Sequence, residues 1–587
     1  MKSLVFDIET DDLNATKVWC IVAIDENNKV YSFHGDTIED VLGYVEYQPW
    51  EMKLRYRNKL EAAVNEGRIN ARERQQMMNT FNASIKIIDT LVLSRLFNPT
   101  REGGHSLERW GIKLGMHKLE FSDFTKFSDD MLKYCIADTK LNKLLFQALR
   151  KEAIGFSKES INLEHDITRI LTKQTKDGFA FDFKSATFLI SKFNKLLKET
   201  EDKVHETFKP KWVDDKVVSP YTKKDGTLSR RGLTDEEYNS IIEGLRPNKP
   251  FMRKTLQEFN LGSRKQIGEY LTDFGWKPRK FTPTGQPIVD EATLKEVEHI
   301  PEAKLIADFL LYQKRLAQVQ SWLDALADDE RIHGSVISTG TITGRMSHRN
   351  PNVAQVPSVK SKFGEECRAC WTVPEGYKLV GVDASGLELR MLAHYMDDEE
   401  YINEIIDGDI HTTNQQIVGL KSRDKAKTFI YALIYGAGDE KIGKIVDGNK
   451  ADGRELKQRF LAGQPAFKSL RERVQRAAQK GFLKGLDGRK IILRHQHAAL
   501  NTLLQGGGAI VMKKGLCILD ERLRLANIDY KFVANIHDEW QIEVRECQAM
   551  RVGELAVESI RDAGKYFNMR CPLDGEYKIG SNWSETH

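Results

Sequence analysis

The chain has no uninterrupted apolar run of about 18 residues, the length a membrane-spanning helix needs. Its start, MKSLVFDIET, reads as a strand and lacks the apolar segment of a signal peptide, so a soluble cytosolic protein is expected. Cysteine is sparse, with seven scattered through 587 residues. Cys367 and Cys370 form one CxxC, but no second pair or nearby His completes a zinc site, and none is expected. Charge of one sign is also lacking: the formal net charge is only +4, so any nucleic-acid footprint has to come from local clustering. Aspartate is absent between Asp40 and Asp89, where residues 51 to 80 read as a charged, mostly helical segment. What is present, 30% charged residues over a length of several domains and a mean hydropathy of -0.48, describes a globular protein with more than one core.

The chain is organised around Val380 to Arg390, VGVDASGLELR. Lys378 to Val382 is a buried-strand pattern and Leu387 to His394 has helical apolar spacing, so Asp383 stands where a strand gives way to a helix. Taken alone, Asp383 is either a helix N-cap or a functional carboxylate. Far downstream, YKFVAN and WQIEV flank His537, Asp538 and Glu539, which puts acids at a hairpin turn. Two aspartates on neighbouring strand ends suit a pair of divalent cations about 4 Å apart, the arrangement used in phosphoryl transfer. Hard oxygen ligands favour Mg²⁺.

Residues 1 to 150 read as an α/β domain. Asp7 and Glu9 share one face of a strand, and Tyr134 and Asp138 lie one helical turn apart. The DxE start and YxxxD end resemble the DEDD family of 3′-5′ exonucleases, in which a further aspartate completes the metal site. That aspartate has no match here, and Asp89 reads as a helix cap or as a residue that supports the site without binding metal, so the site is expected to be incomplete and proofreading weak or absent. Ile161 to Lys203 has a helical pattern. Residues 209 to 231 then carry seven Lys/Arg against three Asp and, with turn residues at Ser219-Pro220 and Asp225-Gly226, read as an exposed hairpin or loop, either a plain solvated excursion or a contact to nucleic acid or a processivity factor. Ser263 caps a helix whose Arg264 and Lys265 suit a DNA phosphate. Glu302 to Leu326 is a long amphipathic helix. The loop that follows offers Arg345 and Gln355 to a duplex or nucleotide.

Arg423, Lys427, Tyr431 and Tyr435 recur every fourth residue and form one stripe on a helix ended by Gly436-Ala437-Gly438. Two cations and two aromatics make a poor core face but suit a nucleoside triphosphate, with Arg423 and Lys427 on phosphates and Tyr431 against sugar and base. His411, in GDIHT, is a further phosphate donor by position. Asn501 and Gln505 are amides one turn apart, able to read a minor groove.

DASGLELR, RDKAKTFIYALIYGAG, HAALNTLLQ, IHDE and SNWSETH, in this order, resemble the family A DNA polymerases, the bacterial polymerase I class, and most closely the replicative polymerases of short-tailed bacteriophages. The resemblance implies an α/β multidomain fold: a ribonuclease H-like 3′-5′ exonuclease-type domain (1-150, degenerate) followed by a right hand of thumb (151-330, with a basic insertion at about 205-250), palm (331-400 and 511-587) and fingers (401-510). It implies a template-directed DNA polymerase of phage genome replication, working in the cytoplasm of an infected bacterium. Asp383, the Ala384 carbonyl and Asp538 would hold two Mg²⁺, Mn²⁺ being able to substitute, with Glu539 in support. Arg423, Lys427, His411 and Tyr431 would bind the deoxynucleoside triphosphate, and Glu388 would crowd the sugar 2′ position. Arg345, Gln355, Arg390, Asn501, Gln505, His537, Arg264 and Lys265 would contact primer-template DNA. Helicase-primase and single-strand-binding partners follow from the replicative likeness; thioredoxin dependence does not, because the 205-250 region lacks a match to the thumb insertion of the best-known relatives. The rival classes are a protein that acts chiefly as a nuclease and a non-catalytic DNA-binding protein.

Overall fold

The computed structural model describes residues 4–10, 18–25, 27–34 and 87–587 apart from 279, 291, 292, 295, 296 and 298. The charged 51-80 segment lies outside them. The chain divides into two compact units, Met1–Phe181 with Ala327–His587, and Asp182–Leu326.

The first unit holds a sheet of four antiparallel strands in the order Tyr530–Ile536, Glu539–Arg545, Tyr377–Ala384, Gly575–Gly580. KLVGV is apolar without alternation because Tyr377–Ala384 is covered on both faces. Val380 and Val382 join the main core with Val552, Val557 and Ile560 of the helix Ala549–Tyr566. On the opposite face lies Gly381, where a Cβ would come within 2.2 Å of the Thr586 carbonyl oxygen; only glycine lets the C-terminal segment lie down on the strand there. Each buried valine or leucine of this strand contributes about 1.5–3 kcal/mol by leaving water.

Two further helices frame the sheet. Ala499–Leu525 runs unbroken through the 510/511 boundary expected from the motifs. Lys158–Asp177 packs on that helix and on Tyr530–Ile536. The expected 151-330 segment is therefore cut differently: its first helix belongs to the unit that contains the sheet, and the second unit begins at Asp182. The helical pattern over 161 to 203 is carried by two helices with a break between them. Gly178 ends the first helix at φ +64°, Phe179–Ala180 pairs with Arg331–Ile332, and Asp182 caps a new helix at Phe183 by accepting from the Lys184 and Ser185 N–H groups. A Gly followed by a short apolar pair is a weak signal inside a long helical pattern, and the strand partner lies about 150 residues on in sequence.

Near the N-terminus, Leu4–Thr10, Val18–Asp25 and Val30–His34 form an antiparallel sheet. The helix Asp129–Glu152 packs on it, burying Met131 and Cys135 against Cys20 and Val22. Among the described residues no helix is long and apolar enough to cross a membrane.

In the second unit the helices Phe183–Thr207 and Pro301–Leu323 pack together. The helix Arg264–Asp273 adds to a core in which Phe208 stacks on Phe259 at 4.5 Å. The basic 209-231 stretch holds a hairpin, Thr222 bridging Leu228 around the Asp225-Gly226 turn, and a strand that pairs further along the chain. Its Lys211–Val218 strand pairs with Phe251–Gln257, with a bulge between Asp214 and Lys216.

Candidate active site

The site is built on the end of Tyr377–Ala384. Asp383 pairs in register with Glu539 on one side and Glu576 on the other, and the Ala384 N–H donates to the Asp538 carbonyl at 3.1 Å. That single backbone bond fixes the hairpin tip, where His537 turns the chain at φ +58°, beside the strand end. Asp383 is not a helix cap. The helix Leu387–Met396 starts from Gly386, in the left-handed region, without a side-chain cap.

The Asp383 carboxylate is open to solvent on its outer side, yet protein surrounds it elsewhere. This partial desolvation, followed by the negative charges of Asp538 and Glu539, pushes its pKa up to about 7. Burial also pushes Asp538 up. Among the described residues neither carboxylate forms an ion pair with a lysine or arginine. Two crowded acids that bind protons too readily are matched to a multivalent cation, which would remove the repulsion. Among the described residues no three His, Cys, Asp or Glu side chains converge as a metal cluster, so the shell of a hard cation would be completed by carbonyl, phosphate and water oxygens.

Glu539 points its carboxylate elsewhere. It accepts from the Trp583 indole N–H at 2.6 Å and the Gln541 amide at 2.7 Å, with His587 Nδ1 at 2.9 Å and Arg368 at 3.9 Å. Burial alone would raise its pKa; His587, Trp583 and Arg368 outweigh that and hold it low. Glu539 is thus a buried strut, and the C-terminal Trp583 and His587 that anchor it had no assigned role in the sequence.

Opposite the carboxylates, Arg423–Ile434 forms the expected helix, capped by Ser422. Its Phe429, Ile430, Leu433 and Ile434 are buried, leaving the Arg423, Lys427, Tyr431, Tyr435 stripe outward. Arg423 makes a bidentate pair with Asp409, at 2.6 and 2.9 Å. The guanidinium holds the Asp409 carboxyl well below the usual range. Asp409 also accepts from the His411 N–H as the cap of Ile410–Val418. The His411 ring lies 6.3 Å from Tyr431, and partial burial, then Lys427 and Arg423, lower its pKa. Among the described residues Lys427 has no carboxylate partner.

Glu388 ties the two halves of the site together. It accepts from the Tyr435 hydroxyl and pairs with Arg345 at 3.2 Å. Arg345 and His537 line one cavity with Lys513, Asn535 and Trp540. The remaining expected contacts are dispersed. Arg390 donates to the Ser385 and Pro572 carbonyls, bracing the turn after Asp383. Gln355 lies in the short turn Val353–Gln355, and Asn501 and Gln505 are half-buried in the first two turns of Ala499–Leu525. Arg264 and Lys265 belong to the second unit, where Arg264 donates to the Val289 carbonyl at 3.1 Å and Lys265 lies 3.9 Å from Glu269.

At the N-terminal sheet, Cys135 Sγ lies 3.7 Å from the Asp7 carbonyl, which joins the strand bearing Asp7 to the helix bearing Tyr134 and Asp138. Lys118 forms a 2.9 Å ion pair with Asp138 and sits over the Tyr134 ring. The Glu9 side chain lies outside the described residues. Asp89 is a helix cap, accepting from the Leu91 and Val92 N–H groups.

Comparison with known proteins agrees with this architecture. The family model described as DNA polymerase family A matches residues 236–585; a second model, the arginine decarboxylase C-terminal helical extension, matches 38–86. DNA-directed DNA polymerases of Enterobacteria phage T3 and Escherichia phage T7 are each 34% identical, over 96% and 95% of this chain and 99% and 98% of their own lengths. DNA polymerase I of Pseudomonas aeruginosa is 30% identical over 56% of this chain. The POL domain of Pol1 from M. smegmatis, solved in complex with DNA primer-template and dNTP, superposes with a TM-score of 0.75 at 18% identity, covering 100% of this chain and 96% of that one. The strand-end aspartates, the cationic helix stripe and the match over more than half of the chain together place this protein in DNA polymerase family A.

Proposed function

We propose that this DNA-directed DNA polymerase adds deoxynucleotides to a primer 3′-hydroxyl with Asp383 and Asp538 as its metal-holding carboxylates. The observation that carries the assignment is the Ala384 N–H to Asp538 carbonyl bond, which sets the two unpaired acids side by side on a rigid sheet. Asp383, Asp538 and the Ala384 carbonyl would hold Mg²⁺, with Mn²⁺ able to substitute. When bound, two such ions supply Lewis-acid activation of the hydroxyl and neutralise charge on the triphosphate and its leaving pyrophosphate.

The protein's own groups do the rest. Lys427 and Arg423 bind and orient the triphosphate, with His411 as a further donor. Tyr431 lies against sugar and base. Glu388, held by Tyr435 and Arg345, occupies the space a 2′-hydroxyl needs, so a ribonucleotide meets a clash and an unpaired polar group. Residues 331-400 and 511-587 act as palm, 401-510 as fingers, and the second unit as thumb on primer-template DNA. Residues 1-150 form a degenerate exonuclease-like domain in which Lys118 already occupies the Asp138 carboxylate, so proofreading is weak or absent. The setting is phage genome replication in an infected bacterium, alongside a helicase-primase and a single-strand-binding protein; the phage T3 and T7 relatives, matched over nearly their whole lengths, support that context.

The test is a 5′-labelled primer on a longer template with Mg²⁺, with and without the four deoxynucleotides. Extension with them and an intact primer without them is expected. Shortening that Asp138→Ala abolishes would overturn the proofreading assignment, and binding without extension would overturn the polymerase assignment.

A further inference from the structure

Away from the carboxylates, four charged side chains are sealed inside the first unit. Glu164, Asp487, Arg489 and Lys513 are each no more than 4% exposed. Glu164 Oε1 accepts from Arg489 Nη1 and Lys513 Nζ, both at 2.6 Å, and Arg489 also pairs with Asp487 at 2.6 Å. Two acids and two bases make the cluster neutral, which lets it persist in a low-dielectric interior. It joins three elements: the helix Lys158–Asp177, the turn between the strands Phe482–Lys484 and Lys490–Ile492, and the helix Ala499–Leu525.

The second oxygen of Glu164 is not spent on a charge. Oε2 accepts from the Thr339 hydroxyl at 2.9 Å, and one turn along the same helix Thr168 reaches the Ser338 hydroxyl at 3.5 Å. Thr339 begins a loop that closes on itself. Gly340 N–H donates to the Arg345 carbonyl at 3.1 Å, and the Thr341 hydroxyl accepts from the Arg345 N–H at 3.0 Å. Gly344, at φ +75°, backs onto the cluster, since a Cβ there would lie 3.4 Å from Arg489 Nη1. The loop thus has one end anchored on Glu164, its bend resting on Arg489, and its last side chain, Arg345, on Glu388.

We propose that Glu164, through Thr339 and Arg489, is a positioning residue for Arg345 and hence for the Glu388 carboxylate that selects the sugar. The proposal rests on the assignment of Glu388 above and extends it to a helix that carries none of the recognised polymerase motifs. Arg345 has one 3.2 Å contact with which to orient Glu388, so its placement depends on the loop. Freeing the loop leaves Glu388 held by the Tyr435 hydroxyl alone and opens room at the 2′ position.

The test is the ratio of kcat/KM for ribonucleotide over deoxynucleotide in the wild type, Thr339→Val, Thr339→Ser and Glu388→Ala, with thermal melting to confirm folding. Thr339→Val removes the hydroxyl and leaves the ion cluster whole, so it avoids the unbalanced buried charge of a Glu164 substitution. The expected result is a ratio raised about fivefold or more in Thr339→Val, rescued to the wild-type value in Thr339→Ser, and raised further in Glu388→Ala. An unchanged ratio in Thr339→Val while Glu388→Ala relaxes selection overturns the positioning role and leaves the role of Glu388 standing. An unchanged ratio in Glu388→Ala overturns both.

Discussion

Trp583 donates its indole N–H to Glu539 at 2.6 Å, across 44 residues of sequence. Trp583 is fully buried and Glu539 is 6% exposed, so the bond cannot be replaced by water. Trp583→Phe keeps most of the ring volume and removes the donor. Leaving part of a buried carboxylate unsatisfied costs about 1–3 kcal/mol, and a lower thermal midpoint in circular dichroism is expected, with polymerisation reduced only through the loss of folded protein at assay temperature. An unaltered midpoint would mean that Gln541 and His587 suffice.

Asp383→Asn and Asp538→Asn each remove one of the acids that the strand ends hold together. Loss of several kcal/mol of charge stabilisation in the transition state corresponds to a fall in kcat on the order of 10³-fold. Primer-template affinity should stay within a few-fold, measured by fluorescence anisotropy. A variant with near-normal extension rate would remove that aspartate from the reaction.

Lys427 projects from the helix Arg423–Ile434 with no carboxylate partner among the described residues, whereas Arg423 is already engaged by Asp409. Lys427→Ala is therefore expected to lose the larger share of triphosphate binding. A hydrogen bond to a charged group is worth about 1.5–3 kcal/mol, which corresponds to a fall of about 10- to 150-fold in kcat/KM for the deoxynucleotide. Steady-state extension at varied deoxynucleotide concentration measures it.

Tyr431→Phe removes a hydroxyl from the middle of the stripe, where the ring is half-buried between His411 and Tyr435. Discrimination against dideoxynucleotides is expected to increase. Competition between a dideoxynucleotide and its deoxy counterpart on a sequencing gel reads the ratio, and an unchanged ratio would refute the role.

The buried cluster sets an acid limit. Burial alone would raise the Glu164 pKa, but Lys513 and then Arg489 outweigh it and bring it from an ordinary 4.5 down to about 2. A group whose pKa is depressed by folding contributes stability that is complete above its unfolded value and is lost as pH falls toward the folded one. Urea midpoints should therefore drop between pH 4.5 and pH 2. Constant stability across that window would show that folding does not lower the Glu164 pKa.

The strand-end aspartates and the cationic stripe were legible because both are local patterns: an apolar run, a turn, a repeat every four residues. Their mutual placement was not local, and neither was what supports them. Arg423 and Asp409 lie 14 residues apart, with another helix between. Lys513 and Glu164 lie 349 residues apart, and each alone reads as an ordinary surface charge on an amphipathic helix. The pairing of the strand Lys211–Val218 was not legible because its partner, Phe251–Gln257, comes after an intervening helix and turns. Periodicity reports which face of an element is buried and is silent about the partner that buries it.

The 349-residue span of the Glu164–Lys513 pair also bears on how the enzyme is made. Contacts so distant in sequence must close a long loop before they are rewarded, which slows their formation. Glu164 emerges from the ribosome long before Arg489 or Lys513, and until they arrive its carboxylate has no buried counter-charge and must stay hydrated. Glu164 can be buried with its counter-charges only once Lys513 has been synthesised, so the anchor of the loop bearing Arg345 is completed late in the making of the chain. Polymerase activity should consequently appear later in refolding than the bulk of the helical signal.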